Sequence, residues 1–151
     1  MRRFAWRLQK VLDIRRRQEQ GRRTELFQTT ERLAAKRGEL LLRQRVLRDL
    51  LAEIGRHEPT QRLRVQEFFL RHAAADDEQM RRLQEEIAAL DLRHQEQRAA
   101  LLALRRSREG LEKLREQAWE QYRREQDRRE QKDSDDRTAV AFVRRGGDIE
   151  N

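Results

Sequence analysis

The sequence predicts an all-α protein: two long helices forming an antiparallel coiled-coil hairpin, the second helix longer, with a flexible C-terminal tail. Three observations predict it. Charged residues make up 42% of the 151 and apolar residues only 36%, too few to build a compact core. Leu, Ala, Glu, Gln and Arg dominate while Pro occurs once, a composition of helix formers rather than of a disordered chain. Apolar side chains recur at heptad spacing in two stretches, with one strong break between them.

Helix one is expected near residues 3–54, because Leu26, Leu33, Leu40, Leu47 and Ile54 recur every seven residues. Run backwards, the same phase passes a polar interruption at Glu19 and reaches Leu12. The turn is expected at 55–60, where Gly55 closes one helix and Pro59 suits the first turn of the next. Helix two is expected near 60–133: from Phe69 through Ala73, Asp76, Met80, Leu83, Ile87, Leu90, His94, Gln97, Leu101, Leu104, Arg108, Leu111, Arg115 and Ala118 to Tyr122, steps of four and three alternate without a slip. At about 1.5 Å per residue these helices would measure about 75 and about 110 Å, so the second overhangs the first. A stripe two positions wide in seven buries against one partner helix or a few.

Residues 1–133 therefore read as one hairpin. A short turn makes the neighbouring helices antiparallel, and residues i and j should lie level where i + j is about 115. That register sets the polar break Gln18, Glu19 and Gly21 opposite His94 and Gln97, and brings Ala34, Ala35 and Gly38 near Ala73, Ala74 and Ala75 as a narrow waist. In a parallel homodimer Glu19 would meet its own copy, which disfavours that arrangement. Beyond about residue 112 helix two would lack a partner, making Trp119 and Tyr122 a docking surface. The alternative is a slightly shifted register in which they pack on Phe4 and Trp6. From Ser134 the stripe ends; residues 134–151 read as a flexible tail with a short apolar patch at Val140, Phe142 and Val143.

The net charge is +8, and residues 1–50 hold 15 basic against 6 acidic side chains. That end should attract an acidic surface, unless its cations only solvate a helix face. Catalytic and metal chemistry find no footing. Cysteine is absent, and His57, His72 and His94 stand too far apart for metal-ligand spacing, so no metal and no cofactor are expected. There is no glycine-rich phosphate loop and no serine elbow. The many carboxylates read as solvated helix pairs such as Glu120 with Arg123 or Arg124, and no enzyme is expected. The longest apolar run, Ala99 to Leu104, is six residues, far below the roughly 20 of a transmembrane segment. Residues 2–17 are Arg-rich and amphipathic but lack Ser, so no cleavable leader is expected. Nucleic-acid binding competes through the high pI of 10.9, against interleaved acids and few aromatics. A membrane-surface helix at residues 2–23 is weak in this reading, because Phe4, Trp6, Leu8, Val11, Leu12 and Ile14 are all assigned to the seam.

The opening Phe4-Ala5-Trp6-Arg7-Leu8-Gln9-Lys10-Val11-Leu12-Asp13-Ile14-Arg15 resembles the start of the FliJ family of the bacterial flagellar type III export apparatus. Gln66-Glu67-Phe68-Phe69-Leu70, Leu111-Glu112-Lys113-Leu114-Arg115 with Trp119 and Tyr122, and Arg129-Glu130-Gln131-Lys132-Asp133 resemble that family's second helix. The likeness spans about residues 3–136 and departs from the family at Asp76-Asp77 and after Asp136. It implies a cytoplasmic protein, peripheral at the inner membrane through its partners, that binds the hexameric flagellar export ATPase in the manner of a central stalk and promotes its assembly and activity. It further implies contacts with the export gate membrane protein and with export chaperones, and no specific nucleic acid. Carried to this chain, the resemblance sets Leu8, Val11, Leu12, Arg15, Arg16, Trp119, Tyr122 and Lys132 at the ATPase-facing end, and Leu51, Phe68 and Phe69 at a gate-facing hairpin tip. The runner-up is a coiled-coil scaffold or adaptor unrelated to export.

Overall fold

The computed structural model describes residues 3–147, and side chains as far as residue 145. Two helices hold nearly all of them: α1, Gln9–Ile54, and α2, Pro59–Gly147. They pack together, α2 being the longer at 89 residues against 46, and the described residues contain no strand.

The break between them follows from local chemistry. The Gly55 N–H still reaches the Leu51 carbonyl at 3.3 Å, Arg56 N–H turns to the Glu53 carbonyl at 2.9 Å, and α1 stops there. Pro59 opens α2, where its missing N–H costs nothing. The Arg62 guanidinium then donates back, from Nε to the His57 carbonyl at 2.6 Å and from Nη2 to the Gly55 carbonyl at 2.8 Å. Those oxygens are left without helical partners at the turn, and Arg62 supplies them.

The described residues pack as two units, one formed by the chain up to Arg17 and from Leu104 onward, the other by Gln18–Ala103. In the first, Leu12 is completely buried, and Arg16 Nη2 donates to Glu112 at 3.1 Å while Arg115 Nε donates to Gln9 at 2.8 Å. In the second, Leu33, Leu83 and Ile54 are buried, and polar pairs join the helices: Lys36 Nζ with Glu86 at 2.8 Å, Arg37 with Asp91 at 3.4 Å, and Arg43 with Gln79.

The helical stripes follow the expected phases. Every position named from Phe69 to Tyr122 is buried or half-buried except Arg115, and so is every member of the Leu12-to-Ile54 phase, Glu19 included. The expected register does not hold. The numbers of the joined residues sum to 122 for Lys36 with Glu86 and Arg43 with Gln79, and to 128 for Arg37 with Asp91, not to 115. At each level the partner therefore lies at least seven residues further along α2, about 10 Å of helix. The reason lies at the turn, where Leu63, Phe68 and Leu70 are exposed: the first turns of α2 precede its pairing, so doubling the midpoint of the turn underestimates the offset.

Two expectations fall with that register. Gly38 is no waist, since a Cβ built on it meets nothing within 4 Å and Ala34 and Ala35 are exposed. The polar break at Gln18, Glu19 and Gly21 is not level with His94 and Gln97; the observed sums of 122 to 128 bring Gln97 level with the stretch from Glu25 to Glu31, which includes Thr29. Thr29 is buried with its hydroxyl bonded to the Glu25 carbonyl at 3.1 Å, and Gln97 Oε1 is buried without a hydrogen-bond partner.

Helix two also runs past residue 133, where the sequence reading ended it, to Gly147. No proline follows Pro59, and Ala139, Val140 and Ala141 continue the helix although the stripe has ended. After Gln126 every described side chain is exposed, so this extension adds helix without adding core. Residues 148–151 of the expected tail lie outside the described residues.

Candidate functional site

The first unit carries most of the formal charge. By sequence it holds 20 basic and 13 acidic residues, a net +7, while Gln18–Ala103 holds 16 and 15, a net +1. Three of its aromatic residues, Phe4, Trp119 and Tyr122, form one cluster. Phe4 meets Trp119 edge-on at 5.1 Å between ring centres and Tyr122 at 5.4 Å, and Trp119 stacks on Tyr122 at 5.8 Å. The Arg115 guanidinium lies 5.9 Å from the Phe4 ring centre. Ring pairs of this geometry contribute about 0.5–1.5 kcal/mol each beyond the area they bury. Of the two readings of Trp119 and Tyr122, the structure selects the shifted register in which they pack on the N-terminal segment. Helix two is therefore not partnerless beyond residue 112, although Trp119 keeps 46% of its surface exposed.

Around Glu112 a small ionic network forms, with Arg16 at 3.1 Å and Arg108 at 2.8 Å. Burial works to raise the Glu112 carboxyl, but the hydrogen bonds and charges of Arg16 and Arg108 outweigh it and hold its pKa below the ordinary 4.5.

All eight residues assigned to the ATPase-facing end belong to the first unit. Leu8, Arg15 and Tyr122 are half-buried, Val11, Arg16 and Trp119 are exposed, and all stand in the first unit. Leu12 stands among them but is fully buried, so it supports the surface from beneath. Lys132 belongs to the same unit on the exposed stretch of α2 beyond the paired seam. Of the gate-facing residues, all in the second unit, Leu51 and Phe68 are exposed and Phe69 half-buried; the Phe68 ring lies 4.4 Å from that of His72.

Sequence reasoning missed the other half of the α1 seam. Thr29, Lys36 and Arg43, three or four residues from the leucines, are buried or half-buried, and their polarity hid them from a search for apolar repeats. It also missed a second apolar face on α1, where Leu42, Val46 and Leu50 border a cleft of about 290 Å³ closed by Glu39, Arg43, Asp76 and Met80. Their i, i+4, i+8 spacing was the available signal. Among the described residues no helix is long and apolar enough to cross a membrane, and no group of His, Asp or Glu is placed to hold a metal ion.

Compared with known proteins, residues 4–147 match the family model described as flagellar FliJ protein. No curated protein and no solved structure matches the chain.

Proposed function

The chain belongs to the flagellar FliJ protein family and has a flagellar export-related role, and on that premise we propose that it is a non-catalytic partner of the hexameric export ATPase. The first unit enters the ATPase ring, using Val11, Arg15, Arg16, Trp119, Tyr122 and Lys132 as contacts over a floor of Leu8 and Leu12, and promotes ring assembly and turnover. Leu51, Phe68 and Phe69 in the second unit face the export gate membrane protein, and the same chain hands over export chaperones. The chain works at the cytoplasmic face of the inner membrane, held there by these partners. The observation that supports this reading best is the coincidence, in one unit, of nearly all the net charge with an exposed tryptophan braced by two other rings. An aromatic anchor flanked by cations, exposed in the free chain and buried on binding, is the composition of a protein-binding hot spot. The scaffold unrelated to export loses its ground to the family match.

The test is ATP hydrolysis by the purified export ATPase titrated with the chain. Trp119→Ala and Lys132→Glu should each lower the stimulation, Lys132→Glu more strongly at low salt. Stimulation curves that superimpose on the unsubstituted protein's, with helicity unchanged, would remove the first unit from the ATPase contact.

A further inference from the structure

Six apolar residues near the N-terminus were assigned by sequence to the seam, yet the structure uses them unequally. Leu12 is buried and Phe4, Trp6 and Leu8 are half-buried, whereas Val11 remains 40% and Ile14 53% exposed. Lys10, Val11, Ile14 and Arg17 follow the spacing i, i+1, i+4, i+7, which places them on one face of α1, turned away from the buried phase of Leu8 and Leu12. Arg7 precedes them in the turn that leads into the helix and is exposed. Among the described residues, Arg7, Lys10 and Arg17 have no ion-pair or hydrogen-bond partner. Asp13 is the only acid before Glu19, and it is engaged by Gln9 at 3.1 Å and Arg16 at 3.9 Å. The first turn of α1 holds no acid, so the positive end of the helix dipole adds to the field.

We propose that this face, Val11 and Ile14 flanked by Arg7, Lys10 and Arg17, docks directly on an anionic lipid bilayer. Two aliphatic side chains enter the headgroup boundary while the cationic stems lie along it and their charges meet lipid phosphates. An acidic protein surface would share the charge complementarity, but the one uncharged hydrogen-bonding side chain on the face, Gln18, is already engaged within the chain, which leaves little to read a partner's geometry, and a bilayer requires none. The proposal is separate from the ATPase reading, with which it shares only Val11, and it is tested without the ATPase.

Both tryptophans of the chain, Trp6 and Trp119, belong to the first unit, so intrinsic fluorescence reports on that unit alone. The full-length protein is titrated with vesicles of phosphatidylcholine and with vesicles of phosphatidylcholine mixed with phosphatidylglycerol. Fluorescence and co-sedimentation should register binding to the anionic vesicles only, weakening as salt rises to about 0.15 M. Arg7→Gln/Lys10→Gln/Arg17→Gln should lower partitioning roughly a hundredfold, about fivefold for each cation. Val11→Ser/Ile14→Ser should lower it by about tenfold, and this loss should persist at the higher salt. An environment-sensitive dye on Ile14→Cys, the chain having no other cysteine, should shift to the blue on anionic vesicles, while the same dye on the exposed Gln121→Cys should shift less. The dye keeps the question open to decision even if a multiple variant folds poorly. Absence of binding, equal binding by both variants, or no shift at position 14 overturns the proposal. So does binding to poly-glutamate as tight as to vesicles and indifferent to Val11→Ser/Ile14→Ser, which would make the face a cationic patch for acidic protein.

Discussion

The offset between the helices in the second unit can be measured by a distance. The chain has no cysteine, so Lys36→Cys paired with Glu86→Cys, and Lys36→Cys paired with Gln79→Cys, each carry two spin labels at chosen sites. In the structure Lys36 Nζ lies 2.8 Å from Glu86, so these residues face each other across an interaxial gap of about 8–10 Å. Gln79 stands seven residues earlier on α2, displaced by about 10 Å along the axis, which makes its separation from position 36 about 14 Å. The label linkers add to both pairs alike, so the difference of roughly 4–5 Å survives them. Dipolar electron paramagnetic resonance on protein diluted with unlabelled chain should give the shorter distance for 36–86, and dilution should leave it unchanged because both labels ride on one molecule. A shorter distance for 36–79, which sum to 115, would restore the register drawn from the turn and refute the pairing of Lys36 with Glu86.

Three further outcomes are expected. Leu12→Ala removes the one side chain that is fully buried among the described residues and should cost about 2–3 kcal/mol. The urea midpoint of tryptophan fluorescence should then fall by about 1–2 M, and a loss below about 0.5 kcal/mol would contradict the burial. Gly38→Ala, with open space where the Cβ would stand, should stabilise the helix by about 0.5–1 kcal/mol in thermal melts followed by circular dichroism, whereas destabilisation would mean that the helices do approach closely there. Glu112 has a lowered folded pKa, so the stability it contributes is present above its ordinary value of 4.5 and is lost as pH falls through the folded value. Tryptophan-detected melts should show a smaller acid destabilisation below that value in Glu112→Gln than in the unsubstituted protein, and equal acid sensitivity would deny the coupling to Arg16 and Arg108.

Helix identity, the turn and both stripe phases were legible because they depend on spacing within one helix. Leu83 and Leu33 are buried for the reason their positions announce, a heptad phase that returns the same face every two turns. Offset between helices is a different quantity, and no residue within one helix encodes it by spacing. An offset taken from the turn alone falls short because the exposed stretch around Leu63 and Phe68 comes before the pairing begins. The candidate site divides the same way. That Trp119 and Tyr122 matter could be read from their rarity, but whether Phe4 covers them depended on the offset. Val11 and Ile14 were assigned to the seam on hydrophobicity alone, and only the observed burial separates them from Leu8 and Leu12.

The polar members of the α1 seam explain how that offset is held. A leucine phase repeated every seven residues is nearly unchanged by a slip of one heptad, so Leu26, Leu33, Leu40 and Leu47 do not choose among neighbouring registers. Lys36 and Arg43 do choose, because seven residues from Glu86 lies Arg93 in one direction and Gln79 in the other, and a slip that moved Lys36 onto Arg93 would oppose two cations in the seam. Arg43 joined to Gln79 would move onto Glu86 in that same slip and gain a charge partner, so neither pair fixes the register by itself. The third pair breaks the tie: Arg37, joined to Asp91, would move onto Arg98. Two like-charge contacts against one new ion pair disfavour the slip. The solvent-accessible pairs of the half-buried Lys36 and of Arg37 add little to stability as contacts, and their effect is on which alignment of the leucines is adopted.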